Sequence, residues 1–294
     1  MDYLMKYQFI TPDQAAYQKH NSTQTAVHRV VEDLLEAWNE GEFAICCFLD
    51  ISKCYDTINH EILLQKLQTY GISNSELKWF RSYLCDRTMK VNFNDDLSMA
   101  AQTNIGLPQG STLGPTLFLL FVNDLSQSLR HGSLSMYADD GAIYVTDKDV
   151  NEAKRKMQIA LDDAARWYRE NRLQLNESKC YIMHFGDRKM TDSHQDLHLN
   201  GKPIQVVDTV KYLGLIMDNS LSFKHHADNV VSKGKSKLCC LRKLSKFLPE
   251  PMLCTIYRSK IEPAIDYLGT VWGHTNGPYH NTELRNTERN TEQP

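Results

Sequence analysis

Apolar positions in this chain follow periodicities that change along its length. Ala26, Val30, Leu34 and Trp38 recur every four residues behind the capping residues Asn21-Ser22-Thr23, which predicts an amphipathic helix. Phe43-Ala44-Ile45-Cys46-Cys47-Phe48-Leu49 is an unbroken apolar run, which predicts a strand buried on both faces with Asp50 at its end. Ile58, Ile62, Leu63, Leu67 and Tyr70 predict a helix stopped at Gly71, and Ser75 to Leu84 a second. Met89 to Phe93 and Met99 to Thr103 read as two short strands around the turn Asn94-Asp95-Asp96. The loop Gly106-Leu107-Pro108-Gln109-Gly110 leads into one long apolar helix expected over Thr112 to Leu129. Leu134 to Tyr137 and Ala142 to Val145 flank Asp139-Asp140-Gly141, a hairpin pattern with those three residues as its turn. An amphipathic helix is expected over 149–172, then strands at Tyr181 to Phe185, Leu197 to Leu199 and Val210 to Met217, then helix from about 222 to Lys260. Such irregular interleaving favours an α+β fold over a doubly wound parallel sheet.

Composition narrows the class. With 294 residues, 41% hydrophobic and 23% charged, the chain can fold around its own core. Its most apolar stretch, Leu113 to Val122, is about half the ~20 residues of a membrane span, so no membrane partner is expected. Met1 to Lys6 lacks the basic-then-apolar pattern of a secretory signal, and an intracellular location, nuclear or cytoplasmic, is expected. Eight cysteines without a Cys-x-x-Cys pair read as buried thiols in a reducing compartment, not as a zinc site. The net charge of −3 argues against a uniformly basic coat, but residues 221–260 hold nine basic side chains against Asp228 and Glu250. Asn-Thr-Glu repeats at 281, 286 and 290 predict a disordered tail over 276–294.

Two features are hard to explain by packing: Asp50 closing an apolar strand, and Asp139-Asp140 at a hairpin tip. Neighbouring carboxylates repel unless a cation compensates, and hard oxygen donors suit Mg²⁺ or Mn²⁺. Two such ions can clamp both oxygens of a phosphoryl displacement. Read singly, each feature also has a plain explanation, as a turn and as a strand terminus.

Three boxes in order carry a family resemblance. Phe48-Leu49-Asp50-Ile51-Ser52-Lys53-Cys54-Tyr55-Asp56 resembles motif A of reverse transcriptases. Gly106-Leu107-Pro108-Gln109-Gly110-Ser111 with Leu113-Gly114-Pro115 resembles motif B, and Tyr137-Ala138-Asp139-Asp140 motif C. Asp56 with Asn59-His60, Asn176 to Lys179, Tyr212-Leu213-Gly214, and Tyr267 with Val271-Trp272-Gly273 are similar to further blocks of non-LTR (LINE-like, jockey- and CR1-type) elements. Gln14 and Ser22-Thr23 match their fingers motif, so the resemblance spans roughly 8–275.

The resemblance implies an RNA-directed DNA polymerase that adds dNTPs to a DNA primer 3′-hydroxyl on a template RNA. It implies metal ligation by Asp50, Asp139, Asp140 and the carbonyl of Ile51, with two Mg²⁺ ions or Mn²⁺ in their place. Tyr55 would be the steric gate against a ribose 2′-hydroxyl, although a core tyrosine is its plain reading. Gln109 and Gly110 would support the incoming nucleotide, Lys53 would face phosphate and Lys179 would protonate leaving pyrophosphate; either lysine also reads as merely solvated. Lys233, Lys235, Lys237, Arg242, Lys243 and Lys246 would grip nucleic acid, or else form a solvated helix face. His60 is expected to tie a helix N-terminus in place.

The implied architecture is a right-hand polymerase with a ferredoxin-like antiparallel palm. Its parts would be partial fingers at 1–40, a palm at 41–217 with a fingers insertion at about 71–104, and a helical thumb at 218–275. Two departures stand out. Tyr17 is followed by Gln18 where the family commonly has arginine, and an amide lacks a guanidinium's charge and fork of donors. Neither an endonuclease region nor a Cys/His zinc knuckle is found, so a truncated element is expected. The alternative to an active polymerase is a catalytically inactive nucleic-acid-binding remnant.

Overall fold

The computed structural model of the protein describes residues 4, 6, 7, 9–185 and 197–273; the tail expected at 276–294 lies outside the described residues. Five strands form the main sheet: β1 (Phe43–Leu49), β2 (Ser133–Tyr137), β3 (Asp140–Asp147), β4 (Tyr181–Phe185) and β5 (Gln205–Val206). Their spatial order is β5-β4-β1-β3-β2, antiparallel throughout except at the two-residue edge strand β5. The principal helices are α1 (Thr23–Asn39), α2 (His60–Thr69), α3 (Gly114–Val122), α4 (Val150–Glu170) and α5 (Lys224–Leu244). Helices α2 and α3 lie between β1 and β2, and α4 between β3 and β4, which is the βαββαβ order of the expected ferredoxin-like sheet.

β1 is apolar throughout because both of its faces are covered. Ile45, Cys47 and Leu49 meet Leu117 to Val122 of α3 and Met157, Leu161 and Ala164 of α4 in one core cluster. Ala44, Cys46 and Phe48 face Val27, Val30 and Leu34 of α1, with Val210, Tyr212 and Met217, in a second. The ends of α1 and α4 follow their sequence signals. Ser22 caps α1 through a capping box with Thr25, and the Asp149 carboxylate accepts from the backbones of Asn151 and Glu152 to start α4.

Five expectations are corrected. The helix expected over Thr112 to Leu129 breaks into α3 and a short turn of helix at Leu125–Ser128. At the break, the Asn123 amide donates to Phe9 O and Tyr70 Oη and accepts from Thr11 N, while Asp124 pairs with Lys66. The hairpin between β2 and β3 pairs Tyr137 with Asp140, so its turn is Ala138-Asp139 and Asp140 opens the strand. Val210 to Met217 is not one strand but the hairpin Thr209–Tyr212 and Leu215–Asp218, turned at Leu213-Gly214 with φ of +46° and +88°. Within the insertion, an outer pair (Arg87–Met89, Ala101–Thr103) and an inner pair (Asn92–Phe93, Asp96–Leu97) replace the two strands, and the turn narrows to Asn94-Asp95. The cysteines also divide: Cys46, Cys47, Cys54 and Cys180 are buried, whereas Cys239, Cys240 and Cys254 are exposed. Among the described residues, no helix is long and apolar enough to cross a membrane.

Candidate active site

Sheet register brings the carboxylates together. Leu49 pairs with Gly141, so Asp50, one residue further on β1, leaves the sheet beside Asp140 at the start of β3. The Asp140 carboxyl is held above the usual carboxylate range by desolvation and by the charges of Asp139 and then Asp50. Asp139 instead meets the thiol of Cys54, which burial, the Asp139 charge and a hydrogen bond to that carboxylate push up to about 12. Among the described residues, no three His, Cys, Asp or Glu side chains converge in this arrangement to hold a metal ion. As a donor set, Asp140 with the charges of Asp139 and Asp50 beside it, at one end of the two central strands, suits a hard divalent cation.

The motif A residues beyond Asp50 fold back onto the loop at 172–176. Ser52 N donates to Gln174 O, and Asn176 N donates to Asp50 O at 2.8 Å each. Ile51 is buried and bridges Leu175, whereas Lys53 is exposed in the left-handed region with φ +47°. Tyr55 stacks on Phe118 with ring centroids 4.7 Å apart, and its hydroxyl donates to that of Tyr17 at 3.2 Å.

The motif B loop is clamped onto this segment. Leu107 N donates to Tyr55 O (2.7 Å), Gly106 N to Ile58 O (2.8 Å), and Gln109 Nε2 to Asp56 Oδ1 (2.6 Å). His60 Nε2 donates to Gly106 O at 2.7 Å, so this histidine ties the loop, and Asn59 is the residue that caps α2. Gly106 has φ +86°, and a Cβ there would lie 2.8 Å from Asp56 O, which is why the loop needs glycine. Gly110 has φ +77° with open space around it.

A cleft of about 960 Å³ adjoins the carboxylates, lined by Asp50, Asp140, Lys179, Lys211, Leu213 and Tyr267 among others. Tyr267 Oη donates to Leu213 O at 2.8 Å and shares a hydrogen bond with the Thr23 hydroxyl at 3.1 Å, so the chain beyond α5 returns to one wall of this cleft. The six basic residues between 233 and 246 separate. His226, Val230 and Gly234 form the buried stripe of α5, and Lys237, three residues on, donates to Lys260 O at 2.8 Å. Lys235 and Arg242, seven residues apart, share an exposed stripe on the opposite side of α5 with Lys243 beside it, and Lys246 is exposed in the turn just past the helix. Lys233 is exposed at the edge of the buried stripe.

The contacts of Cys54, Asp56 and Tyr17 arise from tertiary packing that the local pattern around them does not show. Asp56 was marked by two motif blocks, yet nothing local announced that its partner Gln109 lies 53 residues away.

Comparison with known proteins places the chain in a family. The profile of the family "Reverse transcriptase (RNA-dependent DNA polymerase)" matches residues 1–217. The RNA-directed DNA polymerase from mobile element jockey of Drosophila melanogaster is 30% identical over 272 residues, covering 88% of this chain and 29% of that protein. The probable RNA-directed DNA polymerase from transposon X-element of the same fly is 29% identical over 280 residues, covering 92% of this chain and 30% of that protein. This chain therefore spans about three tenths of the relatives it matches. Among solved structures, the telomerase of Candida tropicalis in complex with a telomeric RNA fragment superposes with TM-score 0.50 at 13% identity, over 98% of this chain and 46% of that one. At that identity the likeness speaks to the right-hand polymerase fold alone. With a matching profile over most of its length, the chain belongs to the reverse transcriptase family, among the relatives encoded by non-LTR retrotransposons.

Proposed function

We propose that the protein is an RNA-directed DNA polymerase that extends a DNA primer with dNTPs on an RNA template. The observation that carries this reading is the register that sets Asp50 beside Asp140, with Asp139 next in the turn. Asp50, Asp139, Asp140 and the carbonyl of Ile51 would hold two Mg²⁺ ions, or Mn²⁺ in their place. When bound, such ions supply Lewis acidity at the primer hydroxyl and neutralise the triphosphate.

The remaining work falls to the chain's own side chains. Tyr55, backed by Phe118, presents a flat ring that excludes a 2′-hydroxyl by clash. Gln109, oriented by Asp56, and Gly110, with no neighbour crowding it, form the floor on which base and sugar rest. Lys53 faces phosphate, and Lys179, in the cleft with Asp50, holds the proton that departing pyrophosphate takes. Lys235, Arg242 and Lys246, with Lys233, Lys237 and Lys243 nearby, neutralise backbone phosphates of the template–primer without reading sequence. The Lys237 ammonium contributes least, because it already serves Lys260 O. On this reading, partial fingers occupy 1–40, a palm 41–217 with a fingers insertion at about 71–104, and a helical thumb 218–275.

Primer extension on an RNA template tests this reading. The wild-type chain extends the primer in Mg²⁺, and Asp139→Asn, which keeps size but removes the charge, reduces extension by at least about 10³-fold, a loss of roughly 4 kcal/mol of transition-state stabilisation. Equal rates in the two proteins would remove Asp139 from the site. Salt-sensitive binding of an RNA–DNA hybrid by a wild-type chain that does not extend would favour the inactive remnant.

A further inference from the structure

We propose that Gln14 is the positioning residue of the acidic turn: its buried amide holds Ala138 in the left-handed conformation and so sets where Asp139 points. The proposal rests on the polymerase reading of the carboxylate site.

The chain segment before α1 docks on the outer edge of the main sheet. Gln14 bridges Met136 in parallel register, with Met136 N donating to Asp13 O (2.7 Å) and Ala15 N to Met136 O (2.8 Å). This docking carries the Gln14 side chain, only 1% exposed, under the turn that joins β2 to β3. There its Oε1 accepts from Ala138 N at 2.9 Å and from Ala16 N at 3.0 Å, while Nε2 donates to Ala138 O at 3.2 Å.

The turn needs such support. Ala138 occupies the first central position of a two-residue hairpin loop with φ +55°, a place that glycine normally fills. A methyl group makes that conformation unfavourable, so something outside the turn must hold it. Peptide groups are planar, and fixing both the N–H and the C=O of one residue fixes the two planes that flank its Cα. The second of those planes leads directly into Asp139. A glutamine amide presents one donor and one acceptor side by side, which is what the two backbone groups of Ala138 require. A carboxylate of the same length would offer acceptors only, and a thioether would offer neither.

Gln14→Met keeps length and apolar bulk and removes the amide, and Gln14→Glu keeps the acceptor and removes the donor. Hydrogen exchange of the full chain, without metal or nucleotide, reads the clamp directly, because the Ala138 amide proton is bonded to Gln14. The expected result for Gln14→Met is exchange at residues 138–140 faster by about 10-fold or more, with protection in β1 unchanged. In primer extension, kcat falls about 10- to 100-fold, as for the loss of one or two hydrogen bonds to a buried backbone group, and KM for dNTP stays within about threefold. Adding Ala138→Gly, which favours a positive φ without help, restores part of kcat in the Gln14→Met background. If Gln14→Met does not fold, Gln14→Glu and the Ala138→Gly pairing carry the same comparison. Unchanged exchange at 138–140, exchange that rises equally in β1, or unchanged kcat in a protein whose wild type extends primers would each overturn the proposal. A wild type that does not extend, together with faster exchange confined to the turn, would overturn the polymerase reading and leave the clamp standing.

Discussion

Adding a single carbon at Gly106 tests how the motif B loop is held. Gly106 and Gly71 have nearly the same backbone, with φ of +86° and +87°, and differ in surroundings. At Gly71, behind the C-terminus of α2, an added Cβ meets nothing within 4 Å, so Gly71→Ala pays only for an alanine in the left-handed region, about 1–2 kcal/mol. At Gly106 the same atom would lie 2.8 Å from Asp56 O and 3.0 Å from the Asp56 C and Cα, all backbone, with no flexible side chain to yield. The loop must therefore lift from the segment below it, straining the contacts Gly106 N to Ile58 O, Leu107 N to Tyr55 O and His60 Nε2 to Gly106 O. Losing two of these adds roughly 1–3 kcal/mol to the same conformational cost. Urea denaturation of wild type, Gly71→Ala and Gly106→Ala should place Gly106→Ala lowest by that difference, with similar m values. The lift also moves Gln109, three residues on, so KM for dNTP should rise in Gly106→Ala and stay near wild type in Gly71→Ala. Equal stability of the two variants, with unchanged KM in both, would refute the clamp between the two motifs.

Replacing Tyr55 by alanine should lower discrimination between dNTPs and rNTPs by at least about 10-fold in single-nucleotide incorporation, because the clash is lost. Tyr17→Phe removes only the hydroxyl contact and should do far less. In RNA–DNA hybrid binding, the triple change of Lys235, Arg242 and Lys246 to alanine should reduce the slope of log K against log salt by about 2–3, and Lys237→Ala by less than 1. His184, on β4, is held neutral by burial and then by the Lys154 charge, its pKa falling from 6.5 to about 4. Its contribution is complete above pH 6.5 and is lost as pH falls toward 4, because the unfolded chain takes up the proton first. The loss amounts to as much as about 3 kcal/mol. Thermal melts of His184→Gln should therefore decline less than wild type between pH 7 and pH 4.5, and parallel declines would refute this.

Much of the fold could be read from local pattern because the signals it depends on are local. β1 was recognisable since a strand covered on both faces must be apolar at every position, and Asp50 stood out because it ends that run. α1 and α4 carried both a four-residue apolar period and their own caps. The three acidic positions were legible as motif boxes, and their juxtaposition only through the family resemblance, since physically it depends on Leu49 finding Gly141 across the sheet. The expected long helix failed for the same reason. Leu113 to Leu129 looks continuous in isolation, and it breaks where Asn123 satisfies Phe9, Thr11 and Tyr70, all distant in sequence.

By itself the sequence determined which segments are apolar on one face or on two, where helices start, and which residue types are available for phosphoryl chemistry. These follow from side-chain hydrophobicity, spacing and capping, all properties of neighbours along the chain. Tertiary structure alone decided that Asp139, not Asp140, occupies the turn, and that Gln14 closes on Ala138. It also decided that Lys237 faces Lys260 while Lys235, Arg242 and Lys246 face outward. Those outcomes depend on sheet register and on hydrogen bonds between groups distant in sequence, 23 residues from Lys237 to Lys260 and 124 from Gln14 to Ala138, where no local periodicity reaches.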